Sequence, residues 1–305
     1  MMAANPHNSA LDSWPELPLD AWQDTYATLH MWTQIVGKVR LALSPRVNHW
    51  WEVPLYVNSR GLTTSAIPYG GEVFEVQFDF LEHRLTIQSS WGASKSLALR
   101  PQAVADFYAE FTAALRSLGV EVHIWTMPVE IPDPIRFVND TQHHSYDPDY
   151  THRFWRVLVL CELVFQEFRA GFIGKNSPVH FFWGSFDLAV SRFSGRRAPE
   201  RTGADSVTRE AYSHEVISAG FWPGGGEVKG PAFYAYAAPE PPGFAQRRVR
   251  PAEAFYHPQL REFLLMYDDV RLSPSPHRVL LDFLQSTYEA GADLAKWDRK
   301  NLERT

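Results

Sequence analysis

The chain has 305 residues, 45% hydrophobic, 14% aromatic and 21% charged, so it can bury a core as one large domain or two of ordinary size, and it is not a disordered polymer. A formal net charge of −6 gives no general attraction for a polyanion, which argues against nucleic acid as the partner. The single cysteine, Cys161, excludes an internal disulfide, fits a reducing cytoplasm and reads as a buried inert thiol.

Residues 1–14 read as a disordered, polar start without the basic and apolar regions of a secretory leader. Pro15 to Pro18 lead into a helical pattern over Leu19–Leu43, whose Trp22, Leu29, Trp32, Ile35, Val36 and Val39 share one face, and Pro45 ends it. Period-two alternation at Trp51, Val53, Leu55 and Val57, then at Phe74, Val76, Phe78 and Phe80, marks strands with one covered and one polar face. A turn over Leu81–Arg84 opens a strand Leu85–Ser89, a helix spans Pro101–Leu118 with Gly119 at its end, and Val120–Thr126 reads as a strand. Four prolines make 128–148 a connector between a first half, 15–127, and a second, 149–305. The second half opens with a helix over Asp149–Phe172. Its apolar run 157–165, interrupted by Glu162, is far below the roughly 18 residues of a membrane span, so a cytoplasmic protein with no membrane partner is expected. Strands follow near Val179–Phe182, Phe186–Phe193, Tyr212–Phe221 and Ala232–Ala238, then a helix over Pro251–Met266. A last helix, Pro276–Leu302 with Ser275 as its cap, would be roughly 40 Å long and cross both halves.

Two stretches echo each other. Ser44-Pro45 leads to His49-Trp50-Trp51-Glu52, and Ser177-Pro178 leads to His180-Phe181-Phe182-Trp183; later, Arg100-Pro101 is matched by Arg250-Pro251, with the Arg-rich 195–211 loop as an insertion. The echo predicts an α+β fold of two similar halves, each an antiparallel sheet flanked by helices, packed as one unit. Asp187 then stands where Tyr56 does and Trp183 where Glu52 does, and any activity should lie in such departures.

Standard catalytic signatures are missing. Gly174-Lys175-Asn176-Ser177 lacks the residues of a phosphate loop, and the glycines of 224–230 lack dinucleotide spacing and read as a flexible turn. What remains is a spread of histidines beside carboxylates. His180, Asp187, His214 and Glu215 are the candidate acid–base residues, since an imidazole titrates near neutral pH, although strand alternation puts His214 and Glu215 on opposite faces. His143 and His144 in the connector are candidate ligands of a divalent metal. His30, Gln34 and Lys38 form one stripe with Tyr26 on the first helix, and with Trp183 they are candidate ligand-binding residues if that stripe faces a cavity; on a solvated surface the stripe means nothing. The same histidines also fit solvated or core-capping roles.

The strings from Trp22 to Lys38, Asn48-His49-Trp50-Trp51, Ser177 to Asp187 and Tyr212-Ser213-His214-Glu215, in that order, resemble a bacterial family known only as a domain of unknown function. The resemblance covers the chain beyond its first dozen residues. It implies a soluble bacterial protein with one domain of fixed length, and it carries no reaction, substrate or residue role. The expected function is binding or conversion of a small polar metabolite in a pocket of His, carboxylate and aromatic residues. The alternative is a non-catalytic interaction or structural protein that uses exposed aromatics such as Trp50 and Trp51 to form a homo-oligomer.

Overall fold

The computed structural model describes residues 13–304. The expected disorder of 1–12 lies outside the described residues, while Trp14 is packed, its ring centre 6.3 Å from that of Phe233 and 6.0 Å from that of Tyr267. Helix α1, Leu19–Leu43, has the predicted bounds and is buried almost all round from Thr28 to Arg40, so it is the central helix of the molecule. Behind it come six short strands: β1 (Tyr56–Val57), β2 (Gly61–Thr63), β3 (Ile67–Tyr69), β4 (Glu72–Asp79), β5 (Arg84–Ser89) and β6 (Ser94–Ala98), and then helix α2 (Val104–Ser117). An irregular connector leads to α3 (Pro148–Ala170), whose first turn is capped by Asp147 accepting from the Tyr150 amide. The second sheet contains β7 (His180–Phe182), β8 (Asp187–Arg197), β9 (His214–Trp222), β10 (Ala232–Ala238), β11 (Phe255–His257) and β12 (Glu262–Met266). A short α4 (Ser206–Ala211) sits in the β8–β9 connection, and α5 (Tyr267–Arg271), α6 (Pro276–Leu294) and α7 (Arg299–Leu302) close the chain.

All pairings are antiparallel. One sheet runs β1-β2-β4-β5-β6 with β3 on the end of β4, and the other runs β7-β8-β9-β10-β12-β11. In both halves a long helix is followed by antiparallel strands that start at the central edge and progress outward, with β11 lying outside β12 in the second, and then by a helix, so the two halves are similar. They meet where Leu55, just before β1, and Phe181 of β7 exchange two backbone hydrogen bonds of 2.9 Å. The helix-facing sides of both sheets feed one apolar core, in which Phe78 and Ile87 of the first half and Phe181, Leu188 and Phe221 of the second are fully buried. Cys161 belongs to that core, and burial raises its thiol pKa. Among the described residues no helix is long and apolar enough to cross a membrane.

Several expectations about local structure fail. The Trp51–Val57 alternation yields a strand only at Tyr56–Val57, because the backbone before it is used in contacts with the other half. Val120–Thr126 finds no strand partner; Val120 and Ile124 are buried while the Glu121 amide donates to the Tyr69 hydroxyl. The helix expected over Pro251–Met266 is the β11–β12 hairpin, since Pro258 interrupts any helix and Phe263 and Leu265 alternate into the core. The last helix stops at Leu294: Arg299 folds α7 back onto Asp293 and Glu303, so α6 is roughly 28 Å long and packs within the second half. Ser275 precedes it without making a side-chain cap bond. The echoed strings also occupy different places, His49 in the turn Asn48–Trp50 with φ 61° and His180 on strand β7.

The seam is closed by one close approach. Gly37 on α1 has no Cβ because the indole of Trp183 lies against it. Gly37→Ala should therefore lower stability by about 1–3 kcal/mol, as overpacked cores do. Urea denaturation checks this, and an unchanged midpoint would mean that Trp183 is not seated there.

Candidate functional site

The β7–β8 turn, residues 183–186, is held from three sides. His30 on α1 places Nε2 3.0 Å from the carbonyl of Trp183 and 2.8 Å from that of Gly184, so this nitrogen carries the proton and donates. The Trp183 indole donates to the carbonyl of Val53 at 2.8 Å, and the Ser185 hydroxyl donates to Glu130 at 2.6 Å. One turn along α1, Gln34 and Val129 of the connector exchange two bonds of 2.9 Å. His30 and Gln34 of the α1 stripe thus bind the protein's own backbone. Both are buried, and burial lowers the His30 pKa to about 4. Lys38 ends the stripe among rings, its Nζ 4.9 Å from the centre of Trp125 and 5.8 Å from that of Trp183, and burial lowers its pKa to about 8.

Asp187 leaves this turn as the first residue of β8, on the sheet face turned away from the core. Ladder register puts His180 opposite Ala189, Ala189 opposite Gly220 and Gly220 opposite Tyr234, so all four share that face. His180 and Asp187 are diagonal neighbours on it, about 7–8 Å apart at the backbone. The phenol of Tyr234 lies across Gly220, where a Cβ would collide with it, and donates its proton to Asp187. Tyr236 stacks beside Tyr234 with ring centres 6.2 Å apart, and its hydroxyl is 3.0 Å from that of Tyr212. Trp51, half-buried, stands over His180 with ring centres 5.6 Å apart, and Trp222 and Phe182 are also half-buried here.

The electrostatics of this face are unusual. Burial pushes the Asp187 carboxyl up to about 7 despite the Tyr234 hydrogen bond, with repulsion from Glu130 adding to the rise. Burial also raises Glu262 on β12 to about 7, with Asp187 as its charged neighbour. His180 moves the other way: burial, then Arg40 and Arg169, lower it to about 3, and its buried Nε2 has no hydrogen-bond partner among the described residues. A neutral imidazole with a free nitrogen and a carboxyl that titrates near neutrality therefore share one aromatic surface.

The other proposed residues lie elsewhere. Phe221, opposite Leu188, is seven residues along β9 from His214, roughly 23 Å. His214 instead lies near His49, ring centres 5.5 Å apart, where the Lys175 ammonium donates to His49 Nε2 at 2.8 Å and the opposite ring nitrogen donates to the carbonyl of Ala211 at 3.0 Å. Glu215 faces the other way and pairs with Arg196 at 2.6 Å. His143 bonds Asp140 at 2.7 Å and both residues' carbonyls accept from the first turn of α2, a helix-capping arrangement, while His144 is exposed. Among the described residues no three His, Cys, Asp or Glu side chains converge to hold a metal ion. Trp50 is half-buried, with Arg46 4.7 Å above its ring. Sequence reasoning passed over Tyr234, Tyr236 and Glu262; the alternation in Phe233-Tyr234-Ala235-Tyr236-Ala237 places both tyrosines on one face and was the available signal.

The raised Asp187 pKa makes a linkage prediction. The folded state keeps a proton that the unfolded chain releases near pH 4, so Asp187 lowers stability progressively as pH rises from about 4 to 7. Asp187→Asn removes this term and keeps an acceptor for Tyr234. Its stability relative to wild type, from urea titrations at pH 4.5 and 8, should improve with rising pH, and an unchanged difference would contradict the shift.

None of the curated proteins and none of the solved structures matches this chain. The model of a family of unknown function, DUF5996, matches residues 14–304, and the chain belongs to that family.

Proposed function

We infer that the outward face of the second sheet binds a small polar metabolite and that Asp187 exchanges a proton with it. The observation that carries this reading is the pairing of Asp187, bonded by Tyr234, with the unpartnered Nε2 of His180 on the same face. A carboxyl titrating near 7 is present in both protonation states at neutral pH, which suits either general acid or general base work. His180 stays neutral there and offers one ring nitrogen to a ligand hydroxyl, carbonyl or amine. Trp51, Trp222 and Phe182 supply flat apolar surface, and Tyr234 and Tyr236 supply hydroxyls, the mixture expected of a site for a hydroxylated or ring-bearing molecule. Rate or affinity then depends on Asp187 directly, whereas Tyr234 positions and tunes it.

The test begins with a thermal-shift screen of polyols, hydroxy acids and small amines against wild type. Compounds that raise the melting temperature should lose at least tenfold in affinity with Asp187→Asn and with His180→Phe. Tyr234→Phe removes the bond that lowers the Asp187 pKa, so any pH optimum should move upward. Ligands that bind all three variants as tightly as wild type would refute the assignment.

A further inference from the structure

A cleft of about 360 Å³ opens at the far end of β9 and β10, over the C-terminus of α6 and away from Asp187. Its floor is apolar and built of small residues and aliphatic chains, including Ile217, Ala237 and Leu294, with Trp297 on one side and the proline-rich 239–242 segment on the other. Three charged side chains border it: Arg196, Glu215 and Glu240. The volume is at the low end of what small-molecule sites occupy, and an apolar floor with a few polar groups is their usual composition.

The hydrogen bonds decide which charge a ligand should carry. Arg196 has committed most of its guanidinium: Nε and Nη2 donate to Glu215 Oε2 at 2.9 and 2.6 Å, Nη2 also donates to the carbonyl of Ala295 at 2.6 Å, and Nη1, 3.5 Å from that of Lys296, keeps one N–H. No fork is left for an anion. Glu215 accepts all its bonds, including one of 2.9 Å from Ser194, on Oε2, so Oε1 has no partner among the described residues. Glu240 accepts from the Tyr256 hydroxyl at 2.7 Å and has the mostly exposed Arg261 3.4 Å away. The carbonyl end of α6 adds partial negative charge, since the peptide dipoles of a helix leave its C-terminus negative.

We propose that this cleft binds a cationic amine with a flat or branched apolar body: the ammonium donates to Glu215 Oε1, and the body lies between Trp297 and the proline-rich wall. The proposed role is binding, and it stands independently of the Asp187 face.

Two probes of the same shape and opposite charge test this, tryptamine and indole-3-acetate, each titrated into the full-length protein and followed by calorimetry. Tryptamine should bind at least tenfold tighter than indole-3-acetate. Glu215→Gln should weaken tryptamine at least fivefold, and Ala295→Leu, which fills the cleft without touching a charge, should weaken it comparably. Asp187→Asn should leave tryptamine binding unchanged, which separates this site from the face proposed above. Equal binding of the two probes, no binding of tryptamine, tryptamine affinity unaltered by both cleft variants, or loss with Asp187→Asn would each overturn the proposal.

Discussion

The turn between β7 and β8 is the constraint on which the rest of the molecule depends. It belongs to the second half, yet it is anchored by α1, by the segment before β1 and by the connector. The His30 and Trp183 anchors satisfy polar groups that would otherwise be buried unpaired, at a loss of about 1–3 kcal/mol per group, while the Ser185–Glu130 bond is exposed. Together they join two sheets that meet at a short bridge between Leu55 and Phe181. The residue that follows the turn is Asp187, so the same contacts that lock the halves also fix the carboxyl.

The second sheet uses its two faces differently. One is covered by helices and packed into the common core. The other is paved by aromatic side chains and small residues, and its polar groups are tuned by burial in opposite directions, the carboxyls of Asp187 and Glu262 upward and the His180 imidazole downward. Ionisation is disfavoured for all three, which is the signature of low local polarity rather than of a strong ion pair. Arg196 and Glu215, by contrast, form an ion pair through Glu215 Oε2 at the border of the separate cleft.

Much of the architecture was legible in the sequence. Period 3.6 in α1 and period two in β4 and β10 are strong local signals, and α1 and α2 end close to where Pro45 and Gly119 place them. The β11–β12 hairpin reads as a helix in the sequence because Arg250-Pro251 echoes Arg100-Pro101, whereas Pro258 breaks such a helix. Among site residues, His180 and Asp187 do share a face, but nothing local could reveal that His214 lies at the other end of the sheet or that His30 and Gln34 on α1 bind backbone of residues 129, 183 and 184. Such pairings depend on strand register and on contacts across long sequence separations, which spacing along one element does not encode. The echoed strings misled for a related reason: shared topology does not require that similar strings occupy equivalent places.

The most direct measurement of the central claim is the titration of the Asp187 side-chain carboxyl by carbon-13 NMR, assigned with Asp187→Asn. A midpoint near 7 that rises further in Tyr234→Phe would support a buried carboxyl poised for proton transfer on this face. A midpoint near 4, the ordinary aspartate value, would contradict it.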